Sequence, residues 1–250
     1  INEKGGVGKT SFTFNTAWEL SRKKKRVLLI DLDGQRANLT FFMGVKKTDD
    51  MSTIFDVLVQ NKPISEAIIQ AKEDFPLYIV PATEVLTNLG STTKVSKLRK
   101  VLEEIDDDYD YIFFDVNPSP DWRQVLAMSA SDFIIIPMLP DITSLEANMG
   151  ITESIREIQS TTNPRLKVLG IVFNKNTNRT NLSKGTKMIA EKTAKALDSK
   201  VFETKIRGLV ALSENVNEHK GITEYDPSSP AAEDYRNFIK ELEKEVKKNV

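Results

Sequence analysis

The stretch Glu3-Lys4-Gly5-Gly6-Val7-Gly8-Lys9-Thr10 leaves this chain few ways to fold. Three glycines within four positions let the backbone curl and turn its N–H groups inward. The apolar-rich run Phe12–Leu20 follows directly and reads as a helix. Inward amides, a helix N-terminus and a lysine together make a cradle for an anion such as a di- or triphosphate. Gly8-Lys9-Thr10 supplies the last three positions of the general phosphate loop, with Lys9 for the β- and γ-phosphates and the Thr10 hydroxyl for Mg²⁺. The first glycine of that general loop would fall at Glu3, so the match is incomplete. A second lysine, Lys4, stands instead just before the glycine pair.

With 250 residues, 40% hydrophobic and 28% charged, the chain has the composition of a soluble globular protein and the length for one α/β domain spanning 1–250. No apolar run approaches the length of a membrane span, and no secretory leader is visible. The absence of cysteine excludes disulfides, thiolate metal sites and iron–sulfur ligation, and fits a cytoplasmic protein. A formal net charge of −1 gives no global nucleic-acid signature, so any DNA binding must come from a local patch or one assembled by dimerisation. Phosphate loops follow a buried strand, yet only Ile1-Asn2 precede this one and there is no initiator Met. The expectation is that the rest of a first strand is missing from the N-terminus.

Strand–helix alternation along the chain predicts a doubly wound, mostly parallel sheet flanked by helices, a P-loop NTPase-like α/β fold. A helix is expected from Thr10 to Ser21, then a buried parallel strand at Val27-Leu28-Leu29-Ile30 ending in Asp31. Residues 31–38 read as polar and turn-like at the carboxyl edge of that strand, where open α/β sheets bind ligands. Asp31 and Asp33 there are candidate contacts for a Mg²⁺-bound or attacking water. Helices are expected over 52–60, 64–71, 92–105, 144–159, 182–197 and 231–248, and strands over 77–81, 133–137, 169–174 and 201–204, with 205–229 rich in loops. The second strong signal is Tyr111-Ile112-Phe113-Phe114-Asp115. It has the form of a Walker B strand, in which a buried strand holds a carboxylate rigidly within reach of a metal's waters. Asn117-Pro118-Ser119-Pro120 looks like a stiff loop placed to sense a γ-phosphate.

With these pieces in place, the chain resembles the ParA/Soj partition ATPases, within the wider deviant Walker A group that includes MinD. The resemblance rests on Lys4–Thr10, Asp31-Leu32-Asp33, Asp115, Asn174, Arg179-Thr180-Asn181-Leu182, Leu212-Ser213-Glu214 and Tyr225-Asp226-Pro227, and so covers nearly the whole chain. It implies ATP/ADP and Mg²⁺ as cofactors. Gly5, Gly6, Val7, Gly8, Lys9, Thr10 and Ser11 would line the nucleotide, and Lys9 would bind its phosphates. Thr10, Asp33 and Asp115 would serve the metal, and Asp33 would orient the attacking water. Lys4 would reach across a sandwich homodimer to the partner's ATP, as an arginine finger does. Asn174 matches a position that reads adenine, with Ile206 and Arg207 nearby. The family segregates plasmid or chromosomal DNA, binds double-stranded DNA non-specifically as the ATP dimer, hydrolyses ATP slowly and is stimulated by a ParB-type partner. It is cytoplasmic, and nucleoid-associated when ATP-bound.

The chain departs from the family at three points. Asp33-Gly34-Gln35 lacks the usual proline, Asp115-Val116-Asn117-Pro118 replaces Asp-x-Pro-Pro, and Ala211 stands where the family carries an arginine linked to DNA. DNA contact would then fall to Arg179, Lys184, Lys187, Lys205, Arg207 or Lys220, each of which also reads as an ordinary solvated cation. The alternative is a MinD-like or other cargo-positioning ATPase. A MinD-like membrane switch needs an amphipathic tail able to enter lipid, whereas Lys240–Val250 is rich in lysine and glutamate.

Overall fold

The computed structural model describes residues 1–35, 38–73, 75–88, 90, 93–140, 145–176 and 184–250. Helix α1 (Lys9–Arg22) is followed by β1 (Val27–Asp31), α2 (Asn38–Phe42), α3 (Ile54–Val59), β2 (Ile69–Gln70) and β3 (Leu77–Val80). Then come α4 (Lys97–Leu102), β4 (Tyr111–Asp115), α5 (Trp122–Ala130), β5 (Phe133–Met138), α6 (Leu145–Thr161) and β6 (Lys167–Phe173). Helices α7 (Lys184–Ala196), α8 (Ala211–Asn217), α9 (Ile222–Tyr225) and α10 (Pro230–Asn249) complete the order.

β1 is buried at every position and sits inside a four-stranded sheet ordered β2-β3-β1-β4, while β5 and β6 form a second pair. Its uninterrupted apolar run is what a strand covered on both faces requires. All pairings are parallel except the short β2, which runs antiparallel on β3. The register of β1 with β4 sets Asp31 opposite Asp115, so two strands deliver their carboxylates to one sheet edge. One face is covered by α1 and α10 through Phe12, Phe14, Trp18, Tyr235 and Phe238, and the other by α3, α4 and α5 through Leu58, Leu98 and Leu126. A third cluster packs α6 and α7 on β5 and β6 through Ile151, Ile155 and Ala190.

Three expectations are corrected. The helix over 64–71 is a single 3-10 turn at Ile64–Glu66 followed by β2, because the β-branched Ile69 pairs with Ile79 instead of continuing a turn. The strand at 201–204 reduces to one bridge between Val201 and Ile171, while Phe202 turns its ring onto Gly170, where a Cβ would sit 2.5 Å away. The loop-rich 205–229 contains α8 and α9, and these short helices are fixed by a long-range contact. Asn15 Oδ1 on α1 accepts from Ile222 N at 2.7 Å and Asn215 Nδ2 at 3.1 Å. The helix expected over 92–105 is described only as Lys97–Leu102, and its start at Thr92 lies outside the described residues, as do Ser144 and Leu182. α10 keeps its expected face, with Tyr235, Phe238, Ile239 and Leu242 buried, and begins at Ser229, whose hydroxyl accepts from Ala232 N.

β4 and β5 do not pair with each other. A cleft of about 440 Å³ runs between them, walled by Tyr111, Phe113, Phe133 and Ile135 and backed by Phe12 and Leu242. Ile1 and Asn2 enter one end of it alongside β5, with the Ile1 amino group donating to Ile135 O at 2.8 Å and Asn2 Nδ2 to Pro137 O at 2.7 Å.

Candidate active site

The phosphate loop has the shape its glycines allow. Gly6 and Gly8 stand at φ +77 and +82, a region a side chain resists, and α1 begins directly after Gly8. No side chain caps that helix start and its first turn carries no acidic residue, so its N–H groups and dipole face the loop's interior. Lys9 is buried, and its ammonium folds back on the loop to donate to Asn2 O at 2.8 Å and Lys4 O at 3.4 Å. Burial lowers its pKa, while Asp115 and Asp33 nearby pull it up. Asn2 also braces Lys4, accepting its backbone N–H at 2.8 Å.

The three carboxylates differ. Asp31 is consumed structurally. It accepts from Asp33 N at 2.9 Å, Thr40 N at 2.9 Å and Thr40 Oγ1 at 2.7 Å, and Thr40 Oγ1 accepts from Ala82 N at 3.0 Å. Burial raises its pKa to about 6 against these bonds. Its sequence-level candidacy as a water contact gives way to a role in holding the 31–40 loop. Asp33 is buried and, among the described residues, accepts from the local Gln35 N at 3.1 Å. Asp115 is 1% exposed, and among the described residues neither of its oxygens meets a donor at full hydrogen-bond geometry, the Thr10 hydroxyl being the polar group that lies nearest to bonding it. Burial and then repulsion from Asp31 raise its pKa to about 7, with the Thr10 hydroxyl and Lys9 offsetting part of that. A buried, unpaired carboxylate is costly unless a cation meets it. The donor set of Asp115, Thr10 and Asp33 fits a hard divalent cation bound partly through water.

Gly34 explains one departure from the family pattern. A Cβ there would lie 2.8 Å from Leu86 Cβ and 2.9 Å from Thr87 N, so the loop is pressed against the turn at Glu84–Asn88. Asn117 does not extend into open space. Its Nδ2 donates to Asp121 Oδ2 at 2.9 Å, and Asp121 in turn caps α5 and pairs with the buried Arg123.

At the opposite wall, Asn174 Nδ2 donates to Val7 O at 2.8 Å, so its amide nitrogen pins the loop. The Ile206 side chain is fully buried, leaving only backbone for a ligand. Arg207 is held by Asp234 through Nε at 2.8 Å and Nη2 at 2.6 Å, with Pro230 O as a further acceptor. Sequence reasoning missed Lys175, whose Nζ donates to Gly6 O at 2.7 Å, and the brace made by Asn2. The only signal for either is adjacency, Lys175 to Asn174 and Asn2 to the loop. Among the expected DNA-contacting cations, Lys187 pairs with Glu191 one helical turn away and Lys205 is exposed. Arg179 and the Lys184 side chain lie outside the described residues.

A uncapped helix N-terminus behind a glycine loop, facing a buried aspartate on the neighbouring strand, defines a P-loop NTPase of the α/β, mostly parallel class. The comparisons agree. A family model described as an AAA domain matches residues 1–168. The sporulation initiation inhibitor protein Soj of Bacillus subtilis is 34% identical over 246 residues, covering 96% of this chain and 95% of that one. The chromosome-partitioning ATPase Soj of Thermus thermophilus is 32% identical, covering 96% and 92%. The solved septum site-determining protein MinD of Pyrococcus horikoshii, complexed with Mg-ADP, superposes with a TM-score of 0.79 at 23% identity, covering 100% and 96%, and shares the fold. The chain belongs to the ParA/Soj family of partition ATPases.

The state of Asp115 yields a prediction. Its folded pKa of about 7 lies above the ordinary value of 3.8, so the folded chain keeps this proton between those pH values after the unfolded chain has lost it. Stability from this group is therefore full below about pH 4 and is lost as pH rises through 7. Asp115→Asn, neutral throughout, should exceed the wild type in metal-free stability at about pH 8 by roughly 1–3 kcal/mol and match it near pH 4. Added Mg²⁺ should stabilise the wild type and not the variant, both read by thermal melts.

Proposed function

We propose that this chain is a Mg²⁺-dependent partition ATPase whose ATP-bound sandwich homodimer binds double-stranded DNA without sequence preference and is switched off by slow, partner-stimulated hydrolysis. The observation that carries the reading is the phosphate loop with two lysines. Lys9 is already turned inward over loop carbonyls, while Lys4 stands half-exposed at the mouth. From the loop's mouth Lys4 meets a second subunit's nucleotide in the sandwich dimer, as an arginine finger does.

In this reading the loop amides of Gly5–Ser11 and the Lys9 ammonium hold the phosphates. Thr10 and Asp115 hold Mg²⁺, which supplies charge neutralisation on the phosphate oxygens. Asp33 sits at the same edge with one oxygen not engaged by Gln35, and it orients the attacking water. Lys4 of each subunit neutralises charge developing on the other's phosphates. A ParB-type protein stimulates turnover, and 1–250 acts as one ATPase domain. A MinD-like lipid switch finds less support. The apolar face of α10 is buried, its last turn carries Lys247 and Lys248, and no helix among the described residues is long and apolar enough to cross a membrane.

Asp33→Ala is expected to bind ATP and dimerise while turnover drops by about a hundredfold or more. Wild-type turnover would remove Asp33 from the reaction. Lys4→Ala should bind ADP normally but lose ATP-dependent dimerisation or at least about tenfold in rate, measured by light scattering and phosphate release. Duplex binding should require ATP and weaken steeply with salt, while binding in nucleotide-free protein would overturn the switch.

A further inference from the structure

The two residues ahead of Lys4 are tied down on opposite sides. Asn2 is moored to β5. Its Nδ2 donates to Pro137 O at 2.7 Å, its Oδ1 accepts from Lys4 N at 2.8 Å, and the residue is 1% exposed. A buried amide engaged at both ends has one orientation, so the Lys4 backbone is referred directly to the end of a strand. Glu3 is moored to α6. Its Oε1 accepts from Ser154 Oγ at 3.2 Å, and its Oε2 lies 2.5 Å from the place a Gly150 Cβ would take. Gly150 and Ser154 are one helical turn apart and share a face.

The second tether accounts for a glycine inside the 17-residue α6. Glycine weakens a helix relative to alanine. Here its missing side chain is the space that the Glu3 carboxylate fills. Lys4 itself is followed by Gly5 and Gly6, and a Cβ at either would meet nothing within 4 Å. The packing that orients Lys4's backbone therefore lies on its N-terminal side. Lys4 carries its ammonium on four methylenes, so a small change of direction at its Cα is magnified at the charge.

We propose that Asn2 and Glu3 are positioning residues for Lys4, Asn2 through β5 and Glu3 through the glycine gap in α6. The inference rests on the reading of Lys4 given above. It makes the step towards a second subunit's nucleotide depend on α6, while the chain's own nucleotide stays with Lys9 and the loop.

The test compares Gly150→Ala, Asn2→Ala and Lys4→Ala, with each of the first two also combined with Lys4→Ala. ADP affinity is read by calorimetry, ATP turnover by phosphate release and folding by thermal melts. In G150A the added methyl displaces the flexible end of Glu3 while the helix gains, so the thermal midpoint is expected at or above that of the unmodified protein. Turnover is expected to fall about tenfold in G150A and N2A, with ADP affinity held within about threefold. A tether that acts through Lys4 adds no more than about a twofold loss to K4A. Should N2A fail to fold, G150A decides. A turnover loss under about threefold in G150A would overturn the inference. So would ADP affinity that falls in step with turnover, or a larger further loss in the double variants. Unchanged turnover in K4A would overturn the Lys4 reading itself and the inference with it, an outcome kept apart from the others because it is read in K4A alone.

Discussion

The phosphate loop keeps its shape because its carbonyls are tied from outside. A glycine-rich curl has more conformations to lose than any other sequence. Glycines that permit φ near +80 do not by themselves select it. The selection comes from Asn174 on Val7 O, Lys175 on Gly6 O and Lys9 on Asn2 O. Asn2 is itself moored to Pro137 O. The ends of β5 and β6 therefore clamp a loop more than a hundred residues away in sequence. With Val7 O and Gly6 O held by β6's last residues, the loop keeps one shape, and α1 starts directly behind it with its dipole aimed into it.

The same edge shows how register divides labour between identical side chains. Asp31 and Asp115 are direct partners across β1 and β4. Asp31 receives three donors and becomes a fixed part of the loop scaffold. Asp115 has only the Thr10 hydroxyl beside it and is left as a buried carboxylate whose environment suits a cation. Two adjacent buried carboxylates repel, and that repulsion is the second cause of Asp115's raised pKa. The arrangement is unfavourable in the metal-free chain and makes the site responsive to a divalent ion.

Much of this was legible in the residues. The strands at Val27–Asp31 and Tyr111–Asp115 stand where their apolar runs placed them, since a run that ends in a charge marks its own boundary. The phosphate loop was legible because it combines special backbone conformations with specific side chains. What the residues did not show is decided by distant partners. Helices α8 and α9 are too short for periodicity and depend on Asn15. β2 has two residues and exists only because β3 offers an edge. Asp31 and Asp33 look alike in sequence, and Thr40 separates their roles. Lys175 carried no pattern at all, because its significance lies in a dihedral angle and one carbonyl.

The departures from the family can be weighed the same way. Gly34 is no casual replacement for proline, because the turn at Leu86-Thr87 leaves no room for any side chain. Ala211 has a different consequence. The segment before it presents Leu209, 37% exposed, and Val210, 74% exposed. Aliphatic groups gain nothing from a phosphate backbone, whose attraction is electrostatic. On the proposed reading, an arginine-based duplex contact is absent from this tip, and the charge for a duplex would come from elsewhere. Arg207 could supply it only by leaving a two-point pair with Asp234, whereas Lys187 would break an exposed helical pair with Glu191 worth a few tenths of a kcal/mol, about 0.3–0.5. By that ordering, under the proposed reading, the exposed Lys205 and Lys187 are better placed than Arg207 to meet a duplex, and Arg207 is the clasp between the 206–208 segment and α10.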